Sequence, residues 1–223
     1  MGATKIMIIR HAEKPDTYCK KAYSGVSQHG SKCGKAGDEC LVTLGWERAG
    51  ALVTLFASPW GPKQQSVPDA STLLTPTTLF ASNPDKGKST DTAAKAGSSD
   101  EPSQRPFETL LAVAASLGTN CEPMDINFDY AKSDYDTMVK TALACNGAIL
   151  IAWQHEDILS IGQSILKNTN TPAKDFPLPT SWPGSRYDMV WVFDRPTGAN
   201  QITGFSIFYQ MLLAGDSATP PPM

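Results

Sequence analysis

The chain has no apolar run approaching the roughly 20 residues that cross a bilayer, so nothing in it argues for a membrane span. It also lacks an excess of positive charge: 19 Lys and Arg stand against 22 Asp and Glu, a formal charge of -3. That excludes the broad basic surface on which non-specific nucleic-acid binding depends, so an anionic partner must be small and held locally. Histidine is scarce, with His11, His29 and His155 the only three, and no C-x-x-C pair occurs. The spacing that builds a structural zinc site is therefore missing, and no metal or cofactor is expected.

What is present is globular. Hydrophobic residues make up 41% and charged residues 18% of 223 residues, enough for one sizeable core and short for two, so a single domain over residues 1–223 is expected. No charged-then-apolar leader precedes the first strand. The Met-Gly start has Ile6 where an acylation signal wants Ser or Thr, so a cytoplasmic location is the expectation. The five cysteines, Cys19, Cys33, Cys40, Cys121 and Cys145, are an odd number, so at least one is unpaired. Free thiols are expected, with a disulfide within the Cys19 to Cys40 stretch as the alternative.

The order of patterns is strand, helix, strand, helix. Ile6 to Ile9 form a buried strand that ends in Arg10-His11, followed by an aperiodic Gly, Lys and Ser-rich loop at about 16–40, placed to rim that strand end. Helical spacing runs from Leu44 to Phe56, with Thr43 as its N-cap. Ser71 to Ser82 reads as a strand closed by Asn83-Pro84, and residues 85–104 as a polar excursion. Helices follow at Arg105 to Leu117 and Ser133 to Cys145, then a strand from Ala148 to Trp153 that ends in Gln154-His155-Glu156, then a helix from Glu156 to Leu166. Tyr187 to Phe193 and Ile202 to Tyr209 read as a hairpin. This alternation predicts an α/β fold: a three-layer αβα sandwich with a mostly parallel central sheet and a C-terminal antiparallel hairpin at its edge.

Two of these strands deliver histidine to a carboxyl end, where open α/β sheets place their ligand crevices. Arg10, Arg105 and a helix N-terminus can grip an anion by charge-assisted hydrogen bonds, and a neutral imidazole can attack phosphorus. Trp153 beside the second histidine is a candidate substrate contact, although packing explains most of the five tryptophans. His29 reads as a solvated loop residue, and Asp125 and Asp129 lack the partners of a metal site.

The residues Arg10-His11-Ala12-Glu13, Leu44-Gly45 with Arg48-Ala49, Arg105-Pro106-Phe107-Glu108-Thr109 and His155 occur in an order that resembles the histidine phosphatase, or phosphoglycerate mutase-like, superfamily. The resemblance implies that His11 is the phosphorylated nucleophile, that Arg10, Arg105 and His155 hold the phosphoryl oxygens, and that the chemistry is metal-free. Glu156 is the favoured proton donor, with Glu13 and Glu108 as alternatives. The family's usual serine before the second arginine would be Ser82, but residues 85–104 intervene, so the resemblance leaves Ser82, Ser103 or no serine in that role. The expected activity is hydrolysis of a small phosphomonoester. A phosphomutase, or a non-hydrolytic phospho-ligand-binding or repurposed member, is the alternative, and neither the substrate nor the oligomeric state is set by these residues.

Overall fold

In a computed structural model of the protein, residues 2–14, 40–58, 73–85 and 103–221 are described. Strand β1, Ala3–Arg10, lies in the middle of a six-stranded sheet and is buried on both faces, which is why its sequence is continuously apolar rather than alternating. Its side chains divide by parity. Ile6 and Ile8 join one core cluster, and Met7 and Ile9 the other.

The remaining elements are α1 Thr43–Ala51, α2 Val53–Phe56, β2 Thr78–Ala81, α3 Arg105–Leu117, β3 Ile126–Asn127, α4 Tyr135–Ala144, β4 Gly147–Trp153, α5 His155–Asn168, β5 Met189–Asp194 and β6 Gly204–Tyr209. The sheet order is β3-β2-β4-β1-β5-β6. β1 pairs in parallel with β4, and β2 in parallel with β4 and β3, whereas β5 runs antiparallel to β1 and to β6. The apolar faces of α4 and α5 cover the sheet side of Ile6, Ile149 and Trp191. Helices α2 and α3 cover the side of Met7, Leu150 and Val192, while Ala49 of α1 packs with Ala12 and Leu41 beside it. This is the expected three-layer α/β architecture, with the hairpin β5-β6 at the sheet's edge. Each fully buried Ile or Leu contributes about 1.5–3 kcal/mol, so the sheet's two faces dominate the driving force.

Several boundaries differ from the sequence reading. Thr43 is the first helical residue and not a cap: Val42 occupies the cap position and no side chain caps the helix. The strand expected from Ser71 to Ser82 is only Thr78–Ala81. Pro76 has no N–H to give a ladder, and pairing starts after it, with Thr77 N–H donating to Ala148 O at 2.8 Å. The two-residue strand β3 was not anticipated, being too short for any periodicity to register. Lys132–Asp134 is a 3-10 turn leading into α4, and α5 starts one residue earlier than expected, at His155, and continues to Asn168. The hairpin's first strand begins at Met189, which leaves Tyr187 outside the ladder.

The loops expected at about 16–40 and 85–104, with His29, lie almost wholly outside the described residues. Cys40, at the edge of the first, is disulfide-bonded and fully buried, contrary to the expectation of free thiols; its partner lies outside the described residues. Cys121 and Cys145 are free. Trp153 is fully buried in the core with Nε1–H donating to Lys132 O, so it is a packing residue and not a rim residue. No helix among the described residues is long and apolar enough to cross a membrane.

Candidate active site

Parallel pairing in register places Arg10 opposite Trp153, and the His11 N–H donates to Trp153 O at 2.8 Å. The chain beyond β1 and the chain beyond β4 therefore leave the sheet side by side, and His11 and His155 follow from adjacent strand ends. Arg105 opens α3, with Pro106 in its first turn where a missing N–H costs nothing. Glu156 lies in the first turn of α5.

The state of His11 is settled by one contact. Its Nδ1 lies 2.7 Å from Ala12 O. A carbonyl can only accept, so Nδ1 carries the proton and Nε2 keeps the lone pair. Nε2 has no hydrogen-bond partner among the described residues. Burial, then the positive charges of Arg105 and Arg10, hold the pKa of His11 well below its ordinary value. The ring is thus a neutral imidazole beside two guanidiniums.

Arg10 is buried, with 1% of its surface exposed, yet it meets no carboxylate. Its Nη1 donates to Gly184 O at 2.5 Å and to Arg186 O at 3.1 Å, and Nη2 donates to the Tyr187 hydroxyl at 3.2 Å. The guanidinium carbon stands 3.8 Å from the centroid of the Tyr187 ring, a cation-π contact. Its Nε–H is buried and unpartnered. The same loop reaches the second histidine: a Cβ placed on Gly184 would lie 3.2 Å from His155 Nε2, close enough that the imidazole would have to give by a few tenths of an ångström. Gly184 thereby joins the first arginine to the second histidine.

The three candidate carboxylates have separate fates. Glu13 is turned to Arg48, whose Nε and Nη2 both donate to it at 2.7 to 3.1 Å. Glu156 has Oε2 2.9 Å from His155 Nδ1, an ion-pair distance without the alignment of a hydrogen bond. Burial works to raise its pKa, but His155, its own backbone amide and Lys14 outweigh that and bring it to about 2. Glu108 is buried, and burial raises its pKa to about 7 against the Leu41 N–H, which donates to Oε2 at 2.8 Å, and the charge of Arg105. Near neutrality Glu108, unlike Glu156, retains a proton.

Two residues at this site were not singled out from sequence. Lys14 feels the charges of Arg105, Arg10 and Glu156, and its pKa is lowered by desolvation and then by the two arginines. It lies in plain view three positions after His11, but a lysine after a strand reads as solvated. Tyr187, whose ring centroid is 6.1 Å from that of His11, was hidden in the expected strand. Of the two candidate serines, Ser82 follows β2 with a fully buried, unpartnered hydroxyl, while Ser103 is buried just ahead of α3. Among the described residues, no group of three or more His, Cys, Asp or Glu is arranged to hold a metal.

Compared with known proteins, the chain matches no family model and no curated sequence.

Proposed function

We propose that the protein is a phosphomonoester hydrolase of the histidine phosphatase type, acting on a small phosphorylated substrate through a phosphohistidine on His11. The observation that carries this reading is the neutral, Nδ1-protonated imidazole of His11 beside Arg10, a buried guanidinium with no carboxylate to neutralise it. A phosphoryl group brings the missing negative charge. Burial of the cation without it costs several kcal/mol, and such sites are retained where charge develops during a reaction.

In the first step His11 Nε2 forms a bond to phosphorus and the P–O ester bond breaks. The positive charge that arises on the imidazolium is shared with Ala12 O through Nδ1–H. Arg10, Arg105 and His155 hold the phosphoryl oxygens, and Lys14 adds charge at the rim. The departing alkoxide takes the proton of Glu108, which lies on the same face of α3 as Arg105, three residues on. Glu156, ionised at neutral pH, orients His155 and Lys14. In the second step water attacks phosphorus, gives its proton to the Glu108 carboxylate and releases His11 and inorganic phosphate. This assignment replaces Glu156, the donor favoured on resemblance alone.

The disulfide at Cys40 favours an oxidising compartment over the cytoplasm. Turnover of an aryl phosphate by the purified protein, with acid-labile phosphate trapped on the wild type and absent from His11→Ala, tests the function. Transfer of that phosphate to a sugar or glycerate phosphate in place of water would identify a mutase.

A further inference from the structure

We propose that Thr109 is a positioning residue for the nucleophile: its hydroxyl ties the first turn of α3 to the chain just after β1 and thereby sets both the Nδ1–H tautomer of His11 and the distance from His11 to Arg105. This rests on the phosphoryl-transfer reading above.

Thr109 is fully buried. Its Oγ1 lies 2.7 Å from Arg105 O and 2.8 Å from Ala12 N. Both directions follow from chemistry alone. A carbonyl only accepts and an amide N–H only donates, so the one hydroxyl proton goes to Arg105 O while the oxygen accepts from Ala12. Back-bonding of a threonine to the carbonyl four residues earlier is common in helices and needs no function. The second bond is different, because it crosses 97 residues to an alanine that is itself completely buried.

Ala12 is the residue whose carbonyl accepts the His11 Nδ1–H. Among the described residues its N–H has no partner but Thr109, and its C=O holds the tautomer. The neighbouring atoms are pinned too, His11 N–H on Trp153 O and Glu13 O by Val42 N–H at 3.2 Å. Thr109 is the member of this set that also touches the helix carrying Arg105. A relay therefore runs from Arg105 O through Thr109 Oγ1 and Ala12 to the His11 ring. Removing the hydroxyl leaves the buried Ala12 N–H unsatisfied, so the His11–Ala12 peptide is no longer held, and its rotation about the bonds to the Ala12 Cα shifts the Ala12 C=O on the next peptide away from Nδ1.

The test uses the full-length protein and two readouts. Thr109→Val is expected to lower kcat by about 10- to 100-fold with KM changed by less than about 3-fold, the pattern of a misplaced reacting group. Thr109→Ser keeps the hydroxyl and is expected to stay within about 3-fold of wild type on the same scale. Independently of any activity, imidazole nitrogen chemical shifts are expected to report His11 as the Nδ1–H tautomer in wild type and Thr109→Ser, and as a mixture in Thr109→Val. The proposal is overturned by an Nε2–H tautomer in wild type, by unchanged His11 shifts and kcat in Thr109→Val, or by loss of activity in a folded Thr109→Ser. A wild type that forms no phosphohistidine overturns the functional reading instead, and leaves the tautomer measurement standing as the test of the relay.

Discussion

Arg10 and Arg48 are both buried arginines, with 1% and 3% of their surfaces exposed, and they lie close enough to share Glu13 as an electrostatic neighbour. Their surroundings are opposite. Arg48 donates to both oxygens of Glu13, to both oxygens of Asp216 and to Gln210 Oε1, and the carboxylates overcome desolvation to raise its pKa. Arg10 meets two carbonyls and a phenol, keeps one N–H unpartnered, and has its pKa lowered by burial. The difference separates a cation that holds the fold together from one that is held by the fold. Arg48 fastens the C-terminal residues 212–216, since Asp216 also accepts from Leu212 N–H and Leu213 N–H, to the chain after β1. Arg10 has positive charge left over for a ligand.

Substitutions break this comparison most sharply at His11, the proposed nucleophile. His11→Ala is expected to reduce kcat by roughly 10⁴-fold or more while leaving the denaturation midpoint close to wild type, measured by turnover and urea unfolding. At the two arginines the effects should cross over. Arg48→Ala leaves the half-buried carboxylates of Glu13 and Asp216 without their cation and is expected to cost about 3 kcal/mol in unfolding free energy. Millimolar inorganic phosphate is expected to raise the melting temperature of wild type, and Arg10→Ala is expected to cost less stability than Arg48→Ala and to abolish that rise. Equal stability losses with retained phosphate response in both variants would show that the distinction is wrong.

A subtler contrast lies between Glu108 and Glu156. The pKa of Glu108 is raised from the ordinary 4.5 to about 7, so between those values the folded protein holds a proton that the unfolded chain has released. Stability therefore falls as pH rises through that window, by up to about 3 kcal/mol. Glu108→Gln is expected to be more stable than wild type at pH 8 by about 1–3 kcal/mol, to flatten this dependence, and to remove the basic limb near pH 7 from kcat. The smallest effect belongs to Glu156→Gln. Its carboxyl is already ionised, so a change of a few-fold, mainly in KM, and an unaltered pH profile are expected. A larger kcat loss there than in Glu108→Gln would return the proton-donor role to Glu156.

The strands around the site were legible because their signals are local. Ile6 to Ile9 and Ala148 to Trp153 are short, continuously apolar and flanked by polar residues, and the buried face of α3 repeats at helical spacing. β3 and the true start of β2 were not legible, since two residues carry no period and Pro76 ends a ladder whose partner lies elsewhere in the chain. Among the site residues, Arg10, His11, Arg105 and His155 could be named from their places at element ends. Tyr187 could not, because its role is to lie against an arginine more than 170 residues away.

By itself, then, the sequence determined the order of strands and helices and put His11 and His155 just beyond two buried strands, since burial on both faces demands an unbroken apolar run and the polar residues must follow it. Only the tertiary structure decided what each charge is for. Arg48 finds its carboxylates 35 and 168 residues away, while Arg10 is met by neutral oxygens. Glu108 and Glu156 are the same residue type and differ in ionisation through burial and neighbours alone. Ionisation depends on the field at a point in space, which pattern along the chain does not encode.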